Sequence, residues 1–167
     1  MKTIVVYNSS TGFTKQYAQW IAEEISCEAV DLKKVTADKL SSYDTIIYGG
    51  WIMGNMVTGL DKIRKMNLSK VIIFATGSSE QREDVVKAIV DTNHLENDRF
   101  FYFPSGFRFD KLNFMIRFML KSLKKKAAKA ENPTYQDRYM AEKLGTNFDI
   151  SDKAYIKPLI DEIKSLQ

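Results

Sequence analysis

Short apolar runs alternate with segments of helical spacing along this chain, and the alternation constrains the fold more than any other feature. Five runs rich in β-branched and aromatic residues occupy residues 3–7, 28–32, 45–48, 71–75 and 100–103. Segments with apolar residues at helical spacing occupy residues 16–25, 60–66, 80–90 and 151–166. Strands that alternate with helices indicate a parallel sheet with helices on both faces. The sequence therefore predicts a doubly wound α/β fold with five parallel strands.

The segments between these elements are polar or rich in glycine. Residues 33–43 are largely polar and are predicted to be a connector, whereas residues 136–149 are polar with scattered apolar residues. Residues 49–56 follow the third strand, and their first two residues, Gly49 and Gly50, predict an abrupt turn. In a doubly wound sheet the carboxyl ends of neighbouring strands meet at one edge. We therefore expect the loops after the first, third and fourth strands to lie together.

Composition restricts the class of protein. With 167 residues, of which 44% are hydrophobic, the chain can bury one substantial core, so a single domain is expected. One cysteine and one histidine exclude a disulfide framework, a pair of redox cysteines and a histidine-rich metal site. No apolar run approaches the ~18 residues of a membrane span, and the first run is too short for a signal peptide core. These features predict a cytoplasmic protein.

A hydroxyl-rich loop joins the first strand to the first helix. It consists of Ser9, Ser10, Thr11, Gly12, Phe13 and Thr14. Backbone N–H groups and the positive end of the helix dipole converge at such a position, which suits an anion. The loop contains no lysine or arginine, so neutral donors would hold a phosphate. Such a site suits a monophosphate that stays bound better than a phosphate that is transferred. The alternative is an ordinary N-cap and turn without a ligand.

Other phosphate-binding loops do not match this stretch. The chain has neither the G-x-x-x-x-G-K-[ST] pattern of nucleoside triphosphate sites nor the G-x-G-x-x-G pattern of dinucleotide sites. A receiver domain of the same fold would carry acidic residues where Val6-Tyr7-Asn8 and Ile47-Tyr48-Gly49 stand.

The S/T-x-T-G-x-T spacing of this loop, between a first strand and a first helix, resembles the phosphate loop of the flavodoxin family. Over about residues 3–106 the pattern of elements is similar as well. The resemblance implies a flavodoxin-like sheet of strand order 2-1-3-4-5, with FMN as a non-covalent cofactor. Its 5′-phosphate would lie in the loop described above.

The same resemblance implies residues for the isoalloxazine ring in the second and third strand-end loops. They are Gly50, Trp51, Ile52, Met53, Gly54, Thr76, Gly77 and Ser78. Trp51 would stack on the ring, and the alternative for it is a buried core tryptophan. Gly54 is the nearest match to a glycine whose peptide flips when the flavin is reduced. The chain departs from the family in two ways: residues 75–82 contain no aromatic residue, and an acidic surface around the flavin is missing.

Residues 107–130 are strongly basic. They carry eight basic residues against one acidic residue, Asp110, a net charge of +7 that leaves −3 for the rest of the chain. Six apolar residues at helical spacing are expected to pack on the body of the protein: Leu112, Met115, Ile116, Met119, Leu120 and Leu123. Phe114 and Phe118 fall outside that stripe.

Aromatic side chains among cations, outside a core stripe, predict a surface for a partner or substrate. Its candidate residues are Phe107, Arg108, Phe114, Arg117, Phe118 and Lys121. An anionic amphiphile, a membrane face and an acidic partner protein all fit it. The alternative is a solvated lysine face with two phenylalanines under a loop.

The runs Gly106-Phe107-Arg108-Phe109 and Phe114-Met115-Ile116-Arg117-Phe118 also resemble one flavodoxin branch, the flavodoxin-type protoporphyrinogen dehydrogenases. Members of that branch carry a long insertion near the fifth strand and pass electrons to membrane quinone. The prediction is thus one flavodoxin-like domain over residues 1–167, with an insertion of helix and loop over 107–150 before the last helix.

The leading functional prediction is an FMN-binding redox protein in which the flavin carries the chemistry, with no nucleophile or metal ligand among the side chains. A protoporphyrinogen dehydrogenase-like flavoenzyme is the alternative, and a flavin-free binding module comes third. The expected partner is a redox protein or a small organic acceptor, such as a quinone or a porphyrinogen. Contact with the inner face of a membrane fits the basic segment, whereas no motif for nucleic acid accompanies it.

Overall fold

The computed structural model describes residues 1–166. Its strands are β1 Thr3–Tyr7, β2 Glu28–Asp31, β3 Thr45–Met53, β4 Met56–Val57, β5 Val71–Gly77, β6 Arg99–Pro104, β7 Gly106–Phe107 and β8 Phe148–Asp149. Its α-helices are α1 Phe13–Glu24, α2 Ala37–Ser41, α3 Leu60–Arg64, α4 Glu83–Asn93, α5 Phe114–Ala128, α6 Tyr135–Lys143 and α7 Lys157–Ser165. Short 3₁₀ helices cover Leu32–Lys34, Phe109–Lys111 and Lys153–Ile156.

The chain divides into two compact units. Unit 1 comprises Met1–Ser105 together with Ser151–Gln167, and unit 2 comprises Gly106–Ile150. The bounds of unit 2 nearly coincide with those of the predicted insertion.

The sheet of unit 1 has the strand order β2-β1-β3-β5-β6, and all neighbours in this order are parallel. The two-residue strand β4 pairs antiparallel with the end of β3. When only the five long strands are counted, the order is 2-1-3-4-5. The predicted flavodoxin-like sheet is therefore confirmed.

Alternate residues of each central strand supply the two faces of this core. In β1, Ile4 and Val6 join one cluster of buried side chains and Val5 joins the other. In β3, Tyr48 likewise belongs to the cluster of Ile4 and Val6, and Ile47 belongs to the cluster of Val5. A strand buried on both faces reads as a continuous apolar run, which is why these strands could be found from the sequence.

The third strand is longer than predicted, and the predicted loop over residues 49–56 is wrong. β3 continues through Gly49 and Gly50 to Met53, because β5 pairs with it as far as Trp51. A Cβ atom on Gly49 would overlap the ring of Phe74, so glycine here permits close packing and does not make a turn.

The reversal comes later, between β3 and β4. Gly54 and Asn55 lie between the paired residues Met53 and Met56, with φ angles of 55° and 66°. Positive φ at both central residues is the geometry of a type I′ hairpin turn.

The predicted connector over residues 33–43 contains a helix, so that prediction is wrong as well, and the polar segment over residues 136–149 also contains one. In residues 33–43, Thr36 caps α2 by accepting from the N–H of Lys39. In residues 136–149, α6 begins with a capping box in which Thr134 and Asp137 bond each other's backbone N–H groups. Local caps stabilised helices in segments whose apolar pattern was too weak to show them.

Unit 2 consists mainly of α5 packed against α6, and β7 pairs antiparallel with β8. The prediction that one apolar stripe of α5 is buried is wrong. Met115 is 79% exposed and Met119 is 49% exposed, whereas Ile116 and Leu120 are half-buried. No helix within residues 1–166 is long and apolar enough to cross a membrane.

Candidate functional site

The loop between β1 and α1 reverses the chain tightly at the carboxyl edge of the sheet. Gly12 precedes the first residue of α1 and has a φ of 103°, a left-handed conformation that favours glycine. Its N–H donates to the Ser9 hydroxyl at 3.2 Å, and its carbonyl accepts from the N–H of Gln16 at 3.0 Å. The Ser9 hydroxyl accepts in this turn, so its own hydrogen can still be donated to a ligand.

The start of α1 is suited to an anion. The first turn of the helix contains no acidic residue, and no side chain caps it. The N–H groups of a first helical turn have no partner inside the helix, and they carry the positive end of the helix dipole. Ser10 is exposed, and Ser9 and Thr11 are partly exposed, so hydroxyl groups accompany the helix end at the surface.

Thr14, in contrast, points into the protein. Its side chain is 1% exposed, and its hydroxyl lies 2.8 Å from the hydroxyl of Thr76, which is 2% exposed. Thr76 stands near the end of β5 and pairs in register with Trp51 of β3. The first loop is thereby joined to the ends of the two other strands on which ring-binding residues were predicted.

Trp51 occupies an intermediate position between core and solvent. It is half-buried, and it belongs to neither of the two core clusters formed by the described residues. Its backbone carbonyl accepts from the N–H and the hydroxyl of Thr58, at 3.0 and 2.9 Å. The backbone of Trp51 is thus held in place while its indole remains partly accessible, as a stacking residue requires.

A buried amide anchors the hairpin that follows Trp51. The side-chain oxygen of Asn93 accepts from the N–H of Val57 at 2.9 Å. Its side-chain nitrogen donates to the carbonyls of Asn55 and Ile89, both at 2.7 Å. Asn93 is 6% exposed, so α4 holds the hairpin through hydrogen bonds shielded from water.

The third loop is tied to the end of β6. Ser105, which is 3% exposed, donates both its N–H and its hydroxyl to the carbonyl of Gly77, at 2.8 and 2.9 Å. The hydroxyl of Tyr102 donates to the carbonyl of Ser79 at 2.8 Å. Both lone pairs of the Gly77 carbonyl are therefore used within the protein.

Besides the buried Thr14 and Thr76, four further predicted cofactor residues lie away from the accessible edge or at its margin. Phe13 is 4% exposed, Gly50 is buried and Ile52 packs against a core cluster. Gly54 lies at the exposed tip of the hairpin, with open space around it.

The predicted partner residues all belong to unit 2. Phe114 and Phe118 are 75% and 70% exposed, and Lys121 is exposed too. The rings of Phe107 and Phe109 stack with their centres 6.5 Å apart, while Arg108 and Arg117 are half-buried.

The sequence reasoning missed Thr58, Asn93 and Ser105, all of which hold the strand ends. Asn93 and Ser105 bond partners that are distant in the chain, so no local sequence pattern indicates their role. The hairpin did carry a signal, because a Gly-Asn pair between apolar residues is typical of a tight β-turn.

Burial governs the ionisable groups nearest this edge. It raises the pKa of the Tyr48 phenol well above its usual value, and that phenol donates to the carbonyl of Thr58 at 2.6 Å. Burial, with a smaller contribution from the Asp31 carboxylate, raises the pKa of Tyr7. Both phenols stay neutral at physiological pH.

A groove of about 490 Å³ lies at the opposite edge of the sheet, near the amino-terminal ends of β5 and β6. Its lining includes Arg64, whose guanidinium already bonds the carbonyls of Asn93 and His94 and the carboxylate of Asp98. None of the predicted cofactor residues lines this groove.

This fold and this strand-end arrangement define a doubly wound α/β protein with its candidate site at the carboxyl edge of the sheet. The flavodoxin domain family matches residues 4–134, and the chain belongs to that family. The match extends past β6 and includes α5. None of the curated proteins compared with the chain matches it.

Among solved structures, the chain is similar to a flavodoxin from the domain Archaea, with 22% identity, 55% of this chain and 74% of that chain covered, and a TM-score of 0.43. Flavodoxin 1 from Bacillus cereus has 21% identity, 56% and 76% coverage and a TM-score of 0.40. Flavodoxin 2 from the same organism has 17% identity, 62% and 86% coverage and a TM-score of 0.43. At TM-scores below 0.5 these likenesses add nothing to the family assignment.

Proposed function

We propose that this protein binds FMN non-covalently at the carboxyl ends of β1, β3 and β5 and acts as a redox protein. The observation that carries the proposal is the bond between the Thr14 and Thr76 hydroxyls, with Trp51 paired beside Thr76. This bond and this pairing connect the phosphate-type loop, the partly accessible indole of Trp51 and the end of β5 within unit 1.

The residues of the first loop fit a phosphate monoester. Ser9, Ser10 and Thr11 offer hydroxyl donors, and the first turn of α1 offers N–H groups and a favourable dipole. Thr14 can also donate to the phosphate if Thr76 is the donor in their shared hydrogen bond, because the hydroxyl hydrogen of Thr14 is then not used in that bond. The loop holds no cation, so affinity would come from hydrogen bonds to a charged group.

The second and third loops fit a flat aromatic ligand. Trp51 would stack on one face of it, on a backbone held by Thr58. The Gly77 carbonyl is already bonded twice by Ser105, so hydrogen bonds to the polar edge of the ring fall to the backbone around Thr76 and Ser78. The bound flavin would supply electron transfer, and the protein would position it and limit its contact with water.

For the electron acceptor, we propose a partner protein or a small organic oxidant. The family match runs through α5 to residue 134, and this favours a role for the basic segment in the same function. A flavoenzyme that passes electrons from a porphyrinogen to a quinone is the second candidate. Steady-state assays with quinones, porphyrinogens and nicotinamides separate it from a simple carrier, since a carrier turns over no organic donor.

FMN binding is tested by titrating the purified apoprotein with FMN and, in parallel, with riboflavin, which lacks the phosphate. We expect saturable FMN binding that is at least about tenfold tighter than riboflavin binding, because hydrogen bonds to a charged group contribute about 1.5–3 kcal/mol each. Absence of binding would contradict the proposal as a whole. Equal affinity for the two flavins would contradict the assignment of the phosphate loop.

A further inference from the structure

Helix α5 of unit 2 carries a group of large apolar side chains that are exposed. Phe114 is 75% exposed, Met115 79%, Phe118 70%, Met119 49% and Leu123 39%. Exposed apolar side chains are ordinary when scattered singly, whereas a contiguous group indicates an interaction site.

These five side chains form one continuous face. Residues three and four apart are neighbours on a helix, so Phe114 adjoins Phe118, Met115 adjoins Met119, and Met119 adjoins Leu123. At 100° per residue the five lie within about half of the circumference. The half-buried residues Ile116 and Leu120 lie on the other half, and α5 packs against α6. The exposed face, which we call the α5 apolar face, is therefore not the face that packs within unit 2.

The charge on α5 has one sign. The helix carries Arg117, Lys121, Lys124, Lys125 and Lys126 and no acidic residue. Within residues 1–166 none of its four lysines forms an ion pair. Unit 2 as a whole has ten basic residues against five acidic ones. Whatever covers the α5 apolar face must be apolar near the start of the helix and must carry negative charge near its end.

We propose that the α5 apolar face lies in the headgroup region of an anionic lipid bilayer, with the helix parallel to the membrane plane. Helices that bind in this way combine large apolar side chains on one face with lysines beside them. The long lysine stems can extend along the apolar surface while their ammonium groups reach lipid phosphates. Nucleic acid would match the lysines but would leave the phenylalanines and methionines without a role.

The proposal concerns unit 2 and does not depend on flavin binding by unit 1. Its test is flotation of the full-length protein with vesicles, with flavin content measured separately by absorbance. The vesicles are made of phosphatidylcholine alone, or of phosphatidylcholine with about one third phosphatidylglycerol, which supplies the anionic surface. We expect binding to the anionic vesicles, at least about tenfold weaker binding to the neutral ones, and loss of binding as salt is raised.

Two variants locate the surface. Phe114→Ser/Phe118→Ser should weaken binding to anionic vesicles by about a hundredfold or more, since two large apolar side chains no longer leave water. Lys125→Gln/Lys126→Gln should weaken it by roughly fivefold for each lysine removed. All four side chains are exposed, so both variants should fold.

Matched controls lie in unit 1. Met56 is 50% exposed, so Met56→Ser serves as the control for replacing an exposed apolar side chain by serine, and Lys65→Gln/Lys70→Gln serves as the control for the lysine pair. The control variants should float with the vesicles as the parent does. Equal binding to neutral and anionic vesicles, no binding to either, or anionic binding that survives both α5 variants would overturn the proposal. Binding to heparin or DNA without binding to vesicles would also overturn it, in favour of a polyanion partner.

Discussion

The hydroxyl oxygens of Thr14 and Thr76 lie 2.8 Å apart in the interior of the protein, although 62 positions separate the two residues in the chain. Thr14 stands in the first turn of α1, and Thr76 stands near the end of β5. The bond joins the proposed phosphate loop to the proposed ring site. A substitution at either residue should therefore affect both ends of the proposed FMN site.

Replacing Thr14 by valine should lower FMN affinity by about ten- to a hundredfold and should also destabilise the fold. The variant keeps the shape of the side chain but leaves the buried Thr76 hydroxyl without this partner, which costs about 1–3 kcal/mol. Thr14→Ser should restore both properties. Titration with FMN and urea unfolding of the apoprotein measure the two effects separately.

Replacing Thr11 by alanine is the matched comparison. Thr11 is partly exposed, so its replacement should lower FMN affinity by about one to two orders of magnitude and cost less stability than Thr14→Val. A loss of affinity in Thr14→Val without any loss of stability would contradict the bridging role of Thr14.

Trp51 should report flavin binding through its fluorescence. The chain has two tryptophans, and Trp20 packs edge-on against Tyr17, with ring centres 5.1 Å apart. Stacking on the isoalloxazine ring should quench Trp51. Quenching by FMN should therefore persist in Trp20→Phe and be largely lost in Trp51→Phe. Trp51→Phe should still bind FMN, because phenylalanine can also stack. Quenching that depends on Trp20 instead would show that Trp51 is not the stacking residue.

Asn93 should control the order of the hairpin between β3 and β4. In Asn93→Ala the N–H of Val57 and the carbonyl of Asn55 lose their partner, at a cost of about 1–3 kcal/mol for the buried Val57 N–H. Amide hydrogen exchange at Val57 should accelerate more than exchange at Val5 in the central strand β1. Thr92→Ala, on the exposed side of α4, is the control and should leave both exchange rates unchanged. Equal acceleration at Val5 and Val57 would indicate general destabilisation and not a role specific to the hairpin.

Cys27 should be a poorly reactive thiol. Burial raises its pKa from 9.0 to about 11, and its thiol donates to the carbonyl of Glu28 at 3.6 Å. At pH 8 the thiolate fraction is then about a hundredfold lower than in the unfolded chain. Alkylation by iodoacetamide should be slower by at least that factor in the folded protein than in urea. Similar rates in the two states would contradict the burial of this group.

The same pKa shift has a consequence for stability. The folded state holds the thiol proton more tightly than the unfolded state, so the stabilising contribution is full below pH 9 and is lost as the pH rises through about 11. The free energy of unfolding should therefore fall more steeply between pH 9 and 11 in the parent protein than in Cys27→Ala. Parallel pH profiles for the two proteins would contradict the shift.

The sequence by itself determined the strand–loop–helix unit around residues 9–14 and the alternation of strands with helices that indicates a parallel sheet, because these features are local or periodic. The strand order was implied only by the resemblance to the flavodoxin family. β1 is a continuous apolar run because both of its faces are buried, and α1 begins after a glycine whose left-handed conformation few other residues adopt easily. The hydroxyl groups of the loop also follow directly from the residues that stand there.

Only the tertiary structure decided how the strand ends are connected and which face of α5 is exposed. The extension of β3 to Met53 depends on pairing with β5 and β4, and Asn93 meets the hairpin from a helix that lies far along the chain. The apolar residues of α5 fall on more than one side of the helix, and the periodicity does not say which side a neighbouring element will cover. Helix α6 was hidden in a polar segment, so its packing against α5, with Ile116 and Leu120 half-buried and Met115 exposed, could not be foreseen. The exposure of a side chain depends on which element packs against it, and for the apolar residues of α5 that element is α6, which lies further along the chain.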